Sequence, residues 1–463
     1  MTSSSHKTQQ KLIEGSVGRH LVNLTIPMIG GIFAVIVFSL VDTYFVAQLG
    51  TQPLAAIGFT FPVVSALGSL ALGLGIGASS VIARAIGEGD RTQVRRLTTD
   101  SLTLSLLIVG VFIALGLATI DPLFSLLGAQ PDVLPLVRDY MSIWYPGMIF
   151  LVVPMVGNSA IRASGNTKVP SFIMVVAAAI NIILDPIFIF GWGVIPGWGL
   201  KGAAIATVLG RATTLAASLL FLHYREKMLC FNLPKIDALL KSWQRILHVG
   251  LPAAGTSLVT PVSIGIITSL VAVYGAEAVA GFSIASRVES FALLVLLALS
   301  AVMGPFVGQN WGAQRGDRVR RALHLSYLFS LFWGALVAAI LAPASAWLSS
   351  LFSKNPEVVA IAAAYLLLVP ISYAAVGILT IASSTFNALG KPIPSAIMTL
   401  ARMFGLYIPL AYLGSWLFGV KGIFAAACIA NLVVGIGAWI WTQKTCQEPQ
   451  TPALEPEKTP EQV

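Results

Sequence analysis

The chain has 463 residues, of which 56% are hydrophobic and only 10% charged, with a formal net charge of +9. Soluble domains carry about 25% charged residues, so this composition and a mean hydropathy of +0.85 exclude a water-soluble fold and point to an all-α polytopic membrane protein. The positive charge does not mark a nucleic-acid binder, because the basic residues sit in short loops between apolar runs, where they orient helices in a bilayer.

Residues 1–20 are polar and lead into an apolar run without a small-residue cleavage site, so no cleaved signal peptide is expected. A bilayer span needs roughly 20 apolar residues. Twelve transmembrane helices meet that measure, at 21–48, 54–82, 98–119, 133–158, 169–190, 200–223, 246–273, 279–308, 321–342, 357–382, 393–414 and 421–442. Lysine and arginine concentrate at the N-terminus and in the loops after even-numbered spans, whereas the opposite loops hold only Arg138, Lys201, Lys354 and Lys421. The positive-inside rule therefore puts both termini in the cytoplasm. Cys230, Cys428 and Cys446 have no framework spacing and the histidines form no ligand pair, so neither a disulfide scaffold nor a resident metal or other cofactor is expected.

The chain repeats itself. A shift of 225 residues lays Pro27 on Pro252, Gly50 on Gly275, Ala55 on Ala280, Gly87 on Gly312 and Val94-Arg95-Arg96 on Val319-Arg320-Arg321. With short gaps, Gly165 and Pro170 then match Gly390 and Pro394, and Lys201-Gly202 matches Lys421-Gly422. The expected organisation is two pseudo-twofold-related six-helix lobes, 1–223 and 246–442. A charged linker at 224–245 joins them, and a Pro- and Glu-rich tail at 443–463 is expected to be a disordered cytoplasmic segment. Parallel repeats of this kind are common in secondary transporters.

Ionisable residues inside spans are costly in lipid and are functional candidates by default. In chain order the first half offers Asp42 in span 1, Tyr140 in span 4, Asn181 and Asp185 in span 5, and Thr207 in span 6. At 1.5 Å per residue, Asp42, Tyr140, Asp185 and Thr207 all lie roughly 10–12 Å inside the outer boundary. Asn181 and Asp185 are four apart and share a helix face, and Pro186 leaves the Ile182 carbonyl without its helical donor beside them. The repeat places Ile267, Gly405 and Pro409 opposite Asp42, Asn181 and Asp185, so the acidic site belongs to the first lobe alone. Pro27, like Pro186, is a hinge candidate; a bend at Pro27 would move the helix that carries Asp42.

The second half carries Arg287 and Glu289 in span 8. Two residues apart on a helix, they diverge by about 200° and are expected to face different neighbours or a wet cavity, as substrate-cavity residues or in a structural ion pair with another helix. Arg211 and Arg402 are expected to snorkel or pair with helix ends. Arg84, Arg91, Arg95 and Arg96, with Glu88 and Asp90, read as solvated loops.

Across residues 15–442 the chain resembles the MATE family of multidrug and toxin extrusion transporters, in its DinF-like branch. The resemblance rests on the paired lobes, the Pro27 to Val41-Asp42-Thr43 run, the basic loops, and Asn181 and Asp185 followed by Pro186. It implies two lobes forming a V around a central cavity. It also implies antiport of H⁺ or Na⁺ against small organic, often cationic or amphipathic, compounds in a cell (inner) membrane. By the same resemblance Asp42, Asn181, Asp185 and Thr207 form the cation or proton site, including Na⁺ if that is the coupling ion. Tyr140 and Asn158 line the same lobe, and Arg287 matches the DinF-like pattern. The NorM-like pattern, with acids in spans 7 and 10, is not followed, since those spans hold none beyond Glu357 at an interface.

The expected protein is thus a monomeric exporter working by alternating access, with Asp42 and Asp185 titrating as a pair. A lipid-linked-precursor flippase of the same superfamily is the alternative, but it calls for several cavity cations, for which only Arg211, Arg287 and Arg402 are available. An enzyme is not expected, because the spans hold no nucleophile–base or metal-ligand cluster.

Overall fold

The computed structural model describes residues 12–193, 195–232 and 235–447. Twelve helical spans are long and apolar enough to cross a membrane: Val17–Ala47, Thr51–Glu88, Arg91–Ala118, Leu134–Ala163, Lys168–Phe190, Leu200–Arg225, Ile236–Ala272, Ala276–Gly312, Gly316–Ser350, Pro356–Ala388, Pro392–Phe418 and Val420–Gln447. They are numbered spans 1 to 12 in that order. Each overlaps its expected counterpart, and most run further into the basic end, where polar residues continue the helix after the apolar signal stops. Span 7 starts at Ile236, so the latter part of the stretch expected as linker is helical. Span 12 continues through Gln447; the rest of the expected tail lies outside the described residues.

Proline chemistry accounts for two of the interruptions. Pro lacks a donor and crowds the carbonyl four residues back. Span 4 breaks at Met148, just after Pro146, and span 10 tightens into a 3₁₀ turn at Val369–Ser372, which contains Pro370. Pro27 and Pro186, by contrast, sit inside unbroken helices. Span 11 widens into a π-helix at Ala401–Tyr407, a feature frequent at functional sites. Between spans 5 and 6 lies a small antiparallel hairpin, β1 (Gly191–Trp192) and β2 (Ile195–Pro196), in the register Gly191↔Pro196.

The two lobes meet at the end that carries Leu12, Gln447 and the basic loops. Span 2 packs along span 7, and span 8 against spans 1 and 2. Small residues permit this close approach. A Cβ at Gly73 would stand 2.5 Å from the Gly250 carbonyl and from Ala254, and one at Gly308 2.6 Å from the Ala83 Cβ. Polar contacts staple the same seam: Ser80 donates to the Asn387 carbonyl at 2.5 Å and Gln309 to the Ala163 carbonyl at 2.6 Å. Span 1 takes part too, since Leu21, Leu24 and Met28 share a buried apolar cluster with Val302, Met303 and Phe306 of span 8.

The chain entering span 1 is clamped by span 9. Arg318 donates to the carbonyls of Leu12, Glu14 and Gly15 at 2.9, 3.1 and 2.7 Å. Several basic residues expected to be solvated are likewise engaged. Arg95 donates to the Leu229 carbonyl at 3.0 Å and Arg96 to that of Asn232, also at 3.0 Å, while Arg96 pairs with Asp100. These arginines hold the connection between the lobes against the start of span 3, and Asp90 caps that helix by accepting from the Gln93 N–H at 2.9 Å.

Candidate functional site

Spans 5 and 6 come close because span 6 presents glycine to its neighbour: a Cβ at Gly210 would lie 3.4 Å from the Asn181 Cβ, and one at Gly202 would collide with the Phe188 carbonyl. This contact buries Asn181, Asp185 and Thr207, which expose 3%, 0% and 7% of their surface. With the Asn181 amide nitrogen facing Asp185, Nδ2 donates to Asp185 Oδ2 at 2.7 Å and Oδ1 accepts from the Thr207 N–H at 3.1 Å. The orientation is fixed by that network, since the reverse would set oxygen against oxygen. The oxygen end of the amide is also 3.4 Å from Thr207 Oγ1. Three of the four residues expected to form the coupling site are therefore in one hydrogen-bonded group.

The fourth, Asp42, is partly buried, and its Oδ1 is enclosed with no hydrogen-bond partner among the described residues. A buried carboxylate oxygen without a donor is costly, so this atom marks a place where a proton or cation would be stabilised. Asp42 lies in Coulomb range of Asp185, and Tyr140 in range of both. These are the residues that share one expected depth.

Arg211 corrects the expectation of a snorkelling residue. It is within Coulomb range of Asp42 and Tyr140, and its guanidinium lies 5.9 Å from the centroid of the Trp144 ring, a cation–π distance. The sequence held a signal: Arg211 follows Thr207 by four residues and so shares its face. Asn158 is in a different place. It lies on the same span as Tyr140 but roughly 27 Å nearer the basic end at 1.5 Å per residue, with its Oδ1 buried and without a hydrogen-bond partner among the described residues.

The second lobe holds a polar network of its own. Tyr365 donates to Glu289 Oε2 at 2.6 Å, Arg402 donates to Asn431 Oδ1 at 3.3 Å, and Asn431 donates to Ser372 Oγ at 3.0 Å. Arg402, Tyr373 and Tyr407 are all within Coulomb range of Glu289. Arg402 thus points inward from the π-helix of span 11 instead of snorkelling. Arg287, two residues from Glu289, is exposed, as the divergence of the pair required. Tyr365→Phe would leave Glu289 without its shortest donor, at a cost of about 1–3 kcal/mol. The expected result is a lower thermal unfolding midpoint in detergent, unmatched by Tyr44→Phe at an exposed site.

Among the described residues no group of three or more His, Cys, Asp or Glu side chains could hold a metal ion. The oxygen donors suited to a monovalent cation are those of Asp42, Asn181, Asp185 and Thr207.

Comparison with known proteins agrees with this architecture. The MatE family model matches twice, over residues 27–187 and 252–413, at the offset of the internal repeat. A protein of Shewanella oneidensis called "FAD transporter" is 40% identical over 441 residues, covering 95% of this chain and 98% of that one. The probable multidrug resistance protein YoeA of Bacillus subtilis is 26% identical over 96% of this chain and 98% of its own length. Among solved structures, the Vibrio cholerae MATE transporter VcmN in its bent form is 31% identical, superposes with a TM-score of 0.87, and covers 96% of this chain and 98% of its own. With twelve apolar spans in two lobes and both halves matched, the chain is an integral multi-pass membrane protein that belongs to the MatE family of transporters.

Proposed function

We propose that this protein is a secondary active exporter in which H⁺ or Na⁺, moving inward through the first lobe, drives organic solutes outward. The observation that carries this reading is the unpartnered buried oxygen of Asp42 beside the Asn181–Asp185–Thr207 network. Entry of the coupling ion would satisfy that oxygen, lower the repulsion between the two carboxylates and loosen the hold of the first lobe on its solute. With the basic end in the cytoplasm, the lobe contact described above is the closed inner gate, and the chain stands in its outward-facing state in the inner membrane. Each charge moved down 100 mV supplies about 2.3 kcal/mol.

Cationic or amphipathic organic compounds are the substrate class that fits relatives named as multidrug resistance and multidrug export proteins. A second reading, that the solute is a flavin dinucleotide, is favoured by the 40% identical relative named for FAD and by the exposed Arg287, a partner suited to pyrophosphate. The flippase alternative is weakened because Arg211 and Arg402 are engaged within their lobes.

The test is efflux from proteoliposomes of a quaternary ammonium dye and, separately, of FAD. Each is driven first by a pH gradient alone and then by a Na⁺ gradient alone. Export under one gradient identifies the ion, and the transported compound identifies the class. No gradient-stimulated export of either compound would overturn the coupled-exporter reading for these two classes.

A further inference from the structure

The lobe seam holds a cavity of about 530 Å³ that the coupling site does not use. Span 2 contributes Arg84 and Glu88 and span 3 contributes Gln93, all from the first lobe; span 7 contributes Gln244, Arg245 and His248 from the second. Its volume falls in the range of ligand pockets, about 300–1,000 Å³.

The polar groups lining it are mostly donors. Two guanidiniums, an imidazole and two carboxamides face a single carboxylate, Glu88. Glu88 is in Coulomb range of both Arg84 and Arg245, yet among the described residues none of the three is in an ion pair within 4.0 Å. Arg84 is held in place by its own contacts. Its Nε donates to the Ser80 carbonyl at 3.2 Å and its Nη1 to the Leu389 carbonyl at 3.4 Å, and Gly390 leaves room where a Cβ would strike the guanidinium. Those bonds account for two of its nitrogens and leave Nη2 without a partner among the described residues. Arg245 and His248 are exposed. The seam therefore sets a held guanidinium on one side opposite exposed donors on the other.

We propose that this cavity is an anion site for a phosphate group, and that its ligand ties the two lobes together at the basic end. Guanidinium forks match phosphate oxygens. Donors arriving from three helices surround a tetrahedral oxyanion, whereas a carboxylate offers two oxygens in one plane. The cavity lies at the ends of spans 2, 3 and 7, where basic pockets between transmembrane helices take phospholipid headgroups, and where a soluble phosphate compound has equal access. A ligand that contacts Arg84 of one lobe and Arg245 and His248 of the other binds only while the seam is closed. It stabilises that state by mass action and slows the return stroke of the transporter.

The experiment uses full-length protein purified in detergent and stripped of phospholipid, with the thermal midpoint read against added inorganic pyrophosphate, phosphatidylglycerol and phosphatidylcholine. Either pyrophosphate or phosphatidylglycerol raises the midpoint by several degrees, which identifies a soluble phosphate or a headgroup as the source. Phosphatidylcholine does not. In the double variant Arg245→Gln, His248→Gln, both at exposed positions, the midpoint shift should be lost at the concentration that saturates the wild type and return only at a concentration at least tenfold higher. Arg138→Gln, at the opposite end, keeps it. The proposal is overturned if neither anion raises the midpoint above phosphatidylcholine, or if the shift survives the double variant.

Discussion

Asp42→Asn and Asp185→Asn should each lower gradient-driven efflux at least tenfold, while the purified variants should still run as monodisperse, folded protein. The asymmetry between function and fold follows from where the two groups sit. Asp185 is fully buried and accepts from Asn181, and an asparagine there can still accept through its own Oδ1. Asp42 Oδ1 has no partner to lose among the described residues. Neither substitution breaks a packed contact, so folding persists, but an amide cannot take up and release a proton, and it gives a cation no charge to balance. If the two carboxylates act as the coupled pair proposed above, the double variant should be no worse than the more severe single one. The measurement is initial efflux rate in proteoliposomes, with equilibrium substrate binding determined in parallel. Wild-type gradient-driven rates in both single variants would remove the coupling role assigned to this pair.

Much of this site was legible in the sequence because depth and helical phase are properties of the chain alone. Asp42, Tyr140, Asp185 and Thr207 lie at one level, and Asn181 and Asp185 share a face; neither statement needs a tertiary partner. Arg211 was misread because a long cation can snorkel or turn inward at equal cost in sequence terms. Its choice is made by Trp144, Tyr140 and Asp42, which lie on other helices. The second-lobe network is harder still. Glu289, Tyr365, Arg402 and Asn431 come from four different spans, and the π-helix that aims Arg402 inward contains no proline to announce it. The glycines of the seam belong to the same class of hidden information, since the chain has 42 glycines and composition does not say which of them face another backbone.

Those glycines set the second large expectation, Gly73→Val. A Cβ at this position meets the Ala254 nitrogen, the Ala254 Cβ and the Gly250 carbonyl, each at 2.5 Å. Two of those atoms are backbone, so the clash cannot be relieved by turning a side chain. Overpacking of this kind costs about 1–3 kcal/mol, and the cost falls only on the state in which spans 2 and 7 touch. A differential of that size shifts a two-state equilibrium by about 5- to 150-fold. The variant should therefore depopulate the form closed at the basic end and slow turnover without harming either lobe. Gly68→Val is the matched control on the same helix, where an added Cβ meets nothing within 4 Å. Spin labels at the basic ends of spans 3 and 9 should show the inter-lobe distance shifting to longer values in Gly73→Val and staying at the wild-type distribution in Gly68→Val. Equal shifts in the two would trace the effect to helix propensity, and an unshifted Gly73→Val would show that the close contact of spans 2 and 7 does not hold the gate. Because Asp42 and Asp185 lie far from this seam along their helices, Gly73→Val should leave substrate affinity in the outward-facing form unchanged while altering how often that form is visited, which would separate the gate from the proposed ion site.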